Sequence, residues 1–476
     1  MANKSIFNWR LLATIFLLIS LISGGATYYF KIFKLREGKT FTIDPDVEID
    51  HNQEYQIVYW DYPLFIGQKD RYEEFLKKSI KEFNTLYPNI KVSYRLLSFV
   101  EGEDLLYQSL ESGKPPDIYD NIYGSRLINE KLQIPINLFW VPSSKEKEQN
   151  IVKNDEEKYD NLALKALTYK QKIWGLPNCL LPQFWVGNKR ILKKSNLDIN
   201  KIARQGWTWE EFKDYSLKLK EKDYSIIFNP YNSDLFYQLL TANNKNIVSN
   251  EGELLLKQKI LTNIFENLNK LKENKVFPQR VTKMNKRLLP DFWQGKAAII
   301  APINMWLLNN LYQKDSKVSS AEMILLPIPN SSDYKSSLKV SSLLLFRQQA
   351  YKGDDHSKAV YEFAKFINQE KNQIISQRLK VLPAYLPLQE KWKREVKLKE
   401  EIKDQLILTS NSSRIASLTS SKNLILENKI KEIIDQNYKN FWLKNLTVDE
   451  VVHNILTSSQ KLIDINKKQS QERCIV

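Results

Sequence analysis

Aromatic rings and amides placed where strands stop are the residues of this chain best suited to chemistry. In Pro290–Trp306, PDFWQGKAAIIAPINMW, a turn at Gln294-Gly295-Lys296 leads into the small apolar run Ala297–Ala301. Pro302 then stops ladder pairing, and Asn304 and Trp306 follow at once. A tryptophan placed past a strand's end, beside an amide, is suited to line an opening. The same setting recurs at Trp60, Tyr123, Trp174, Trp185 and Tyr231, in a chain that is 12% aromatic with eleven tryptophans. Flat rings beside amides and carboxylates suit sugars, whose C–H faces stack on a ring while their hydroxyls take polar partners. Each ring taken singly reads more readily as core, and Trp207 and Trp209 read as structural; it is several rings together at sheet edges that point to a binding surface.

Other chemistries are missing from the sequence. It has no phosphate-binding glycine loop, no dinucleotide fingerprint, no G-x-S-x-G elbow and no H-E-x-x-H. Nothing selects a carboxylate pair for glycoside hydrolysis, and Asp117, after Pro115-Pro116, reads as a turn cap. Cys179 and Cys474 imply neither a disulfide framework nor a structural zinc site. His51, His356 and His453 are far apart and read as surface or capping residues. No cofactor, metal or catalytic residue is expected.

The elements that would position the rings follow from periodicity. YQIVYW (55–60) is a strand; apolar residues at helical spacing from Tyr72 to Leu86 predict a helix closed by Pro88. IKVSYRLL (90–97) alternates as a half-exposed strand, and a second helix near 101–112 closes at Gly113 before a third strand. Strand–helix–strand order with crossovers of this length predicts a parallel sheet. In GWTWEEF, Thr208 and Glu211 form a capping box, with Trp207 and Phe212 as the hydrophobic staple.

The chain is long enough for two domains: 476 residues, 42% hydrophobic and 26% charged. The net charge of +16 is dispersed and interleaved with glutamates, which argues for solvated helix faces and against nucleic acid. Leu11–Phe30 carries no charge over a bilayer-spanning length. A secretory signal cut near Ala26 and an uncleaved anchor compete for it. The length of the apolar run favours the anchor, and no cysteine is near enough to take a lipid. Lys31, Lys34, Arg36 and Lys39 follow the span, so the positive-inside rule alone would hold the large domain in the cytoplasm.

Five segments, in order, resemble the extracellular solute-binding proteins of ABC transporters, the class of maltose-binding protein and other sugar binders (family 1). They are EFNTLYPNIKVSY, SLESGKPPDIYDN, KIWGLPNCLLPQFWVGNKRIL with GWTWEEF, FWQGKAAIIAPINMW, and AVYEFAKFINQEKNQIISQRLKVLPAY. The resemblance runs from about residue 55 to residue 460. It implies an α/β, bilobal periplasmic-binding-protein-like fold whose ligand lies between hinged lobes, after an N-terminal transmembrane helix. The expected division is an anchor or signal at 1–36, a stalk at 37–52, one lobe from 53–175 and 337–384, a second from 176–336 and 385–464, and a disordered tail at 465–476. The first crossing is expected near Leu176–Pro182. The resemblance further implies ligand contacts at Trp60 and Asp61, at Asn121 and Tyr123, at Tyr231, and at Asn304 and Trp306. The implied partners are a sugar, ABC permease subunits and the membrane, with the large domain outside the cell; a ligand sensor docking on a membrane receptor is the alternative.

Overall fold

The computed structural model describes residues 42–65, 69–144, 148, 155–227, 233–242, 246–276, 288–303, 308, 322–329 and 336–475. The chain separates at Asp44/Pro45 into a short N-terminal unit and one large unit. The large unit holds a seven-stranded and a four-stranded sheet, besides two short two-stranded ones.

The seven-stranded sheet begins as the periodicity predicts. β1 (Tyr55–Asp61) alternates buried Tyr55, Ile57 and Tyr59 with more exposed residues. α1 (Lys69–Leu86) lays Tyr72, Leu76 and Phe83 on the core. β2 (Ile90–Leu96) returns parallel to β1, in register Tyr55↔Ile90 to Asp61↔Leu96. α2 (Gly102–Glu111) precedes β3 (Ile118–Asn121), which pairs parallel on β1's other edge.

Beyond β3 the sheet turns mixed. β4 (Leu176–Pro182) belongs to it, and β5 (Phe184–Asn188) opens the four-stranded sheet. α3 (Trp209–Glu221), β6 (Ser225–Ile227), α4 (Asp234–Ala242), α5 (Gln258–Glu273), β7 (Ala297–Ile303) and β8 (Met323–Leu326) follow, and the smaller sheet is ordered β8-β5-β7-β6. β9 (Ser336–Leu345) is antiparallel to both β3 and β4, so the parallel pairing expected of the first three strands holds for β1–β3 while the whole sheet is mixed. α6 (Asp354–Leu379) packs on β4, β9, β1 and α1. β10 (Leu382–Pro383), α7 (Leu386–Glu395), α8 (Glu400–Asn411) and β11 (Ser413–Ile415) complete the order β10-β4-β9-β3-β1-β2, with β11 parallel to the start of β9.

α9 (Ser421–Leu443) and α10 (Val448–Ile475) then return to the smaller sheet. Their Ile430, Ile434, Tyr438 and Ile455 join Trp185, Phe236, Phe265 and Ile299 in one core. α10 continues to Ile475, so the expected disordered tail at 465–476 is helical through that residue. The capping box forms as read: the Thr208 side chain accepts from Glu211 N, and the Glu211 carboxylate accepts from Thr208 N. Trp207 and Phe212 meet edge to face at 5.3 Å. Among the described residues no helix is long and apolar enough to cross a membrane; Leu11–Phe30 lies outside them.

Candidate functional site

The chain passes between the two sheets at a single residue. β4 ends at Pro182, β5 begins at Phe184, and Gln183 lies between. The return segment lies against it: Gln183 N donates to Ser337 O at 3.0 Å, Ser337 Oγ donates to Gln183 Oε1 at 2.5 Å, and Ser336 Oγ donates to Gln183 O. β11 pairs Ser413 with Ser336 and Ile415 with Leu338, then leads to α9 in the second core. Three chain segments therefore run side by side where the halves meet. A junction made of extended segments can absorb rotation in a few dihedral angles.

A cavity of about 340 Å³ opens at this junction. Its wall draws Glu103 from α2, Tyr123–Arg126 from the loop after β3, and Gln183 from the crossing. It also takes Ser337–Val340 from β9, Asp234 and Tyr237 from α4, Arg414 from β11, and Glu427 and Lys431 from α9. The opening has a backbone cause. Along one edge of β9, β11 occupies Ser336–Leu338 and β3 occupies Ser342–Leu345, so Lys339–Ser341 falls between the two pairings. Gly124 fills that interval at a φ of +62°, where an added Cβ would lie 2.9 Å from both N and O of Val340. Only a residue without a side chain brings the loop so close.

The wall sets charged side chains among apolar ones. Arg126 Nη2 donates to both Glu427 oxygens, at 2.6 and 2.5 Å, and Lys431 stands 2.9 Å from the same carboxylate. Burial works to raise the Glu427 pKa, but Arg126 and Lys431 together hold it below its ordinary value. Tyr237 donates to Asp435 at 2.7 Å, and its own pKa is raised by burial and by Asp435. Tyr123, with its hydroxyl on Phe99 O at 3.1 Å, is likewise raised by burial and then by Glu103.

The expected contact residues separate. Tyr123 lies on the cavity wall. Trp60 is half-buried at the end of β1, with the Arg95 guanidinium 5.3 Å from its ring centre, and is not among the wall residues. Asp61 is fully buried. It accepts from Tyr62 N and Tyr72 Oη at 2.7 Å each and pairs with Lys371, which leaves nothing for a ligand. Asn121 is also buried, and it closes the loop through its side chain: Oδ1 accepts from Ser125 N and Nδ2 donates to Ser125 O, both at 2.8 Å. Asp61 and Asn121 thus have their partners within the fold, as strand-end carboxylates and amides that satisfy backbone and a buried cation do. Tyr231, Asn304 and Trp306 lie outside the described residues. Asp117 accepts from Val58 N at 2.8 Å, bracing β1 rather than a turn. His356 is buried with Nε2 3.1 Å from Gln56 O, not on the surface, and burial lowers its pKa. Among the described residues no cluster of histidine, cysteine or acidic side chains could hold a metal ion.

This architecture, an α/β fold with a seven-stranded and a four-stranded sheet and a cavity where the chain passes between them, is that of a substrate-binding protein. The chain belongs to the bacterial extracellular solute-binding proteins, whose family model matches residues 69–374. The family is one of transporter binding proteins, not enzymes. Solved structures of low identity share the fold. The ABC substrate-binding protein Lmo0181 from Listeria monocytogenes, in complex with cycloalternan, is 16% identical with a TM-score of 0.62, covering 87% of this chain and 100% of that one. The GacH receptor of Streptomyces glaucescens is 14% identical with a TM-score of 0.60, covering 87% and 99%. The sugar-binding protein MalE from Xanthomonas citri is 14% identical with a TM-score of 0.62, covering 87% and 98%. No curated protein matches the chain in sequence.

Proposed function

We propose that the protein captures a sugar or oligosaccharide in the cavity at the junction and delivers it to an ABC transporter permease, tethered outside the cell by its N-terminal segment. The observation that carries this reading is the cavity itself, beside three adjacent chain segments that run between the two sheets. Its volume is in the range of small-molecule sites. A ligand touching both halves stabilises the closed arrangement by its differential contacts. The aromatic surface of Tyr123 and Tyr237, amid carboxylates, amides and cations, offers a ring for the apolar face of a sugar and partners for its hydroxyls. Asn304, Trp306 and Tyr231 are proposed as further contacts from the second half. The sugar-bound relatives of the same fold support this choice of ligand.

The test is a thermal-shift screen of the soluble domain against neutral and acidic oligosaccharides, followed by tryptophan fluorescence titration. A ligand that binds only the folded form raises the melting temperature. The reading expects a saturable rise with at least one sugar, reduced in Tyr123→Ala. If no sugar shifts the transition, the reading fails.

A further inference from the structure

We propose that the solute carries a carboxylate, as a uronic sugar does, and that Lys339 neutralises it on the cavity wall. This inference rests on the sugar reading of the cavity. β9 is an interior strand, and nine of its ten residues are buried; Lys339 is the exposed one. A lysine in the middle of a central strand needs an opening for its ammonium, and here the opening is the cavity.

The Lys339 ammonium makes no ion pair or hydrogen bond with the described residues; the backbone of the residue pairs with Leu181 on β4. Its cationic neighbours are committed: Arg126 and Lys431 both engage Glu427, and Arg414 Nη2 approaches Asn246 Oδ1 at 3.4 Å. On the described wall four cations face three carboxylates, Glu103, Asp234 and Glu427, and the last of these is already shared by two of the cations. The described wall therefore carries one positive charge in excess, and the Lys339 ammonium, held in no ion pair with the described residues, is available to a ligand anion.

The surroundings do not satisfy it. Confinement in the cavity lowers the Lys339 pKa most, Lys431 lowers it further, and the pull of Asp234 and Glu103 does not restore it. A neutral sugar would displace water from the ammonium and return only hydroxyls. A ligand carboxylate would return a charge-assisted hydrogen bond, the stronger kind.

The experiment is calorimetric titration of the soluble domain with oligogalacturonides and hyaluronan oligosaccharides. Each is compared with its carboxyl-reduced neutral counterpart, and maltotriose and chitotriose are added as neutral sugars. An acidic form is expected to bind at least about tenfold more tightly than its reduced counterpart, the scale of one charge-assisted bond. Lys339→Gln should erase that preference, and Lys339→Arg, which keeps the charge, should retain it. Circular dichroism melts confirm that both variants fold. Neutral forms binding as tightly as acidic ones would overturn the inference and leave the sugar reading intact. Equal acid preference in Lys339→Gln would overturn the role of Lys339. Failure of every sugar to bind would overturn both readings.

Discussion

Arg126 and Glu427 lie 301 residues apart in sequence, and a single guanidinium nitrogen reaches both carboxylate oxygens. The pair joins the loop after β3 to α9, whose Ile430 and Ile434 lie in the core of the smaller sheet. Arg126 also donates to Ser417 O at 3.0 Å, which fixes its direction. Glu427 has 5% of its side-chain surface exposed, so removing the arginine leaves a largely desolvated carboxylate with Lys431 as its remaining counter-charge. Arg126→Met is expected to cost about 1–3 kcal/mol in urea unfolding. Arg126→Met with Glu427→Gln should cost less than the sum of the two single changes. The folded pKa of Glu427 is depressed, so its stabilisation is present above the ordinary value of 4.5 and is lost as pH falls through the folded value. Glu427→Gln should flatten that acid limb of the melting curve.

Gly124 makes a second, purely steric prediction. Its φ of +62° and its approach to the Val340 backbone leave no room for a side chain. The clash is with backbone N and O atoms, which cannot rotate away. Gly124→Ala is expected to destabilise by at least about 1–2 kcal/mol from the left-handed conformation alone. It should also weaken solute binding by shifting Tyr123. The checks are a denaturant midpoint and a ligand titration on the same preparation.

The cap of α3 is a test of a feature read directly from sequence. Thr208→Ala removes the acceptor for Glu211 N and the hydroxyl that meets the Glu211 carboxylate. A loss of about 1 kcal/mol is expected in chemical denaturation. Glu211→Gln, which can still accept from Thr208 N, should cost less.

The parts legible in the sequence were those whose cause is local. Helical spacing from Tyr72 to Phe83, alternation in β2 and the Thr208–Glu211 box each lie within a few residues, and each appears where expected. The antiparallel course of β9 was not legible, because a buried strand has the same apolar pattern in either direction. The helical end of α10 was hidden for the opposite reason: its polar NKKQSQERC stretch lacks the apolar stripe on which the reading relied. At the site, Glu103, Lys339 and Glu427 converge from distant segments, and no spacing rule links them. The resemblance placed Asp61 and Asn121 in the expected contact set, and within the fold their partners are a buried lysine and a loop backbone.

The ends of β1 and β3 hold a buried charge cluster that makes the last prediction. Lys371, reaching in from α6, is in contact with Asp61 and Asp120, and Asn178 Nδ2 donates to Asp120 Oδ1 at 3.0 Å. One cation faces two fully buried carboxylates. Burial pushes the Asp120 carboxyl up to about 7; Lys371 opposes this, and the neighbouring Asp61 adds to it. The folded pKa therefore exceeds the ordinary 3.8. Stability from the protonated form is full below that ordinary value and is lost as pH rises through about 7. The melting temperature is accordingly expected to decline across that window, and Asp120→Asn should remove this component of the decline, because an amide leaves Lys371 and Asp61 matched one to one. Lys371→Met should behave oppositely, leaving the two buried acidic groups without their cation and costing about 3–5 kcal/mol. Its destabilisation should shrink in acid, where the Asp120 carboxyl is protonated. Melting curves of the three proteins between pH 4 and 8 decide the matter, and a profile of Asp120→Asn parallel to that of the parent chain would assign the titration elsewhere.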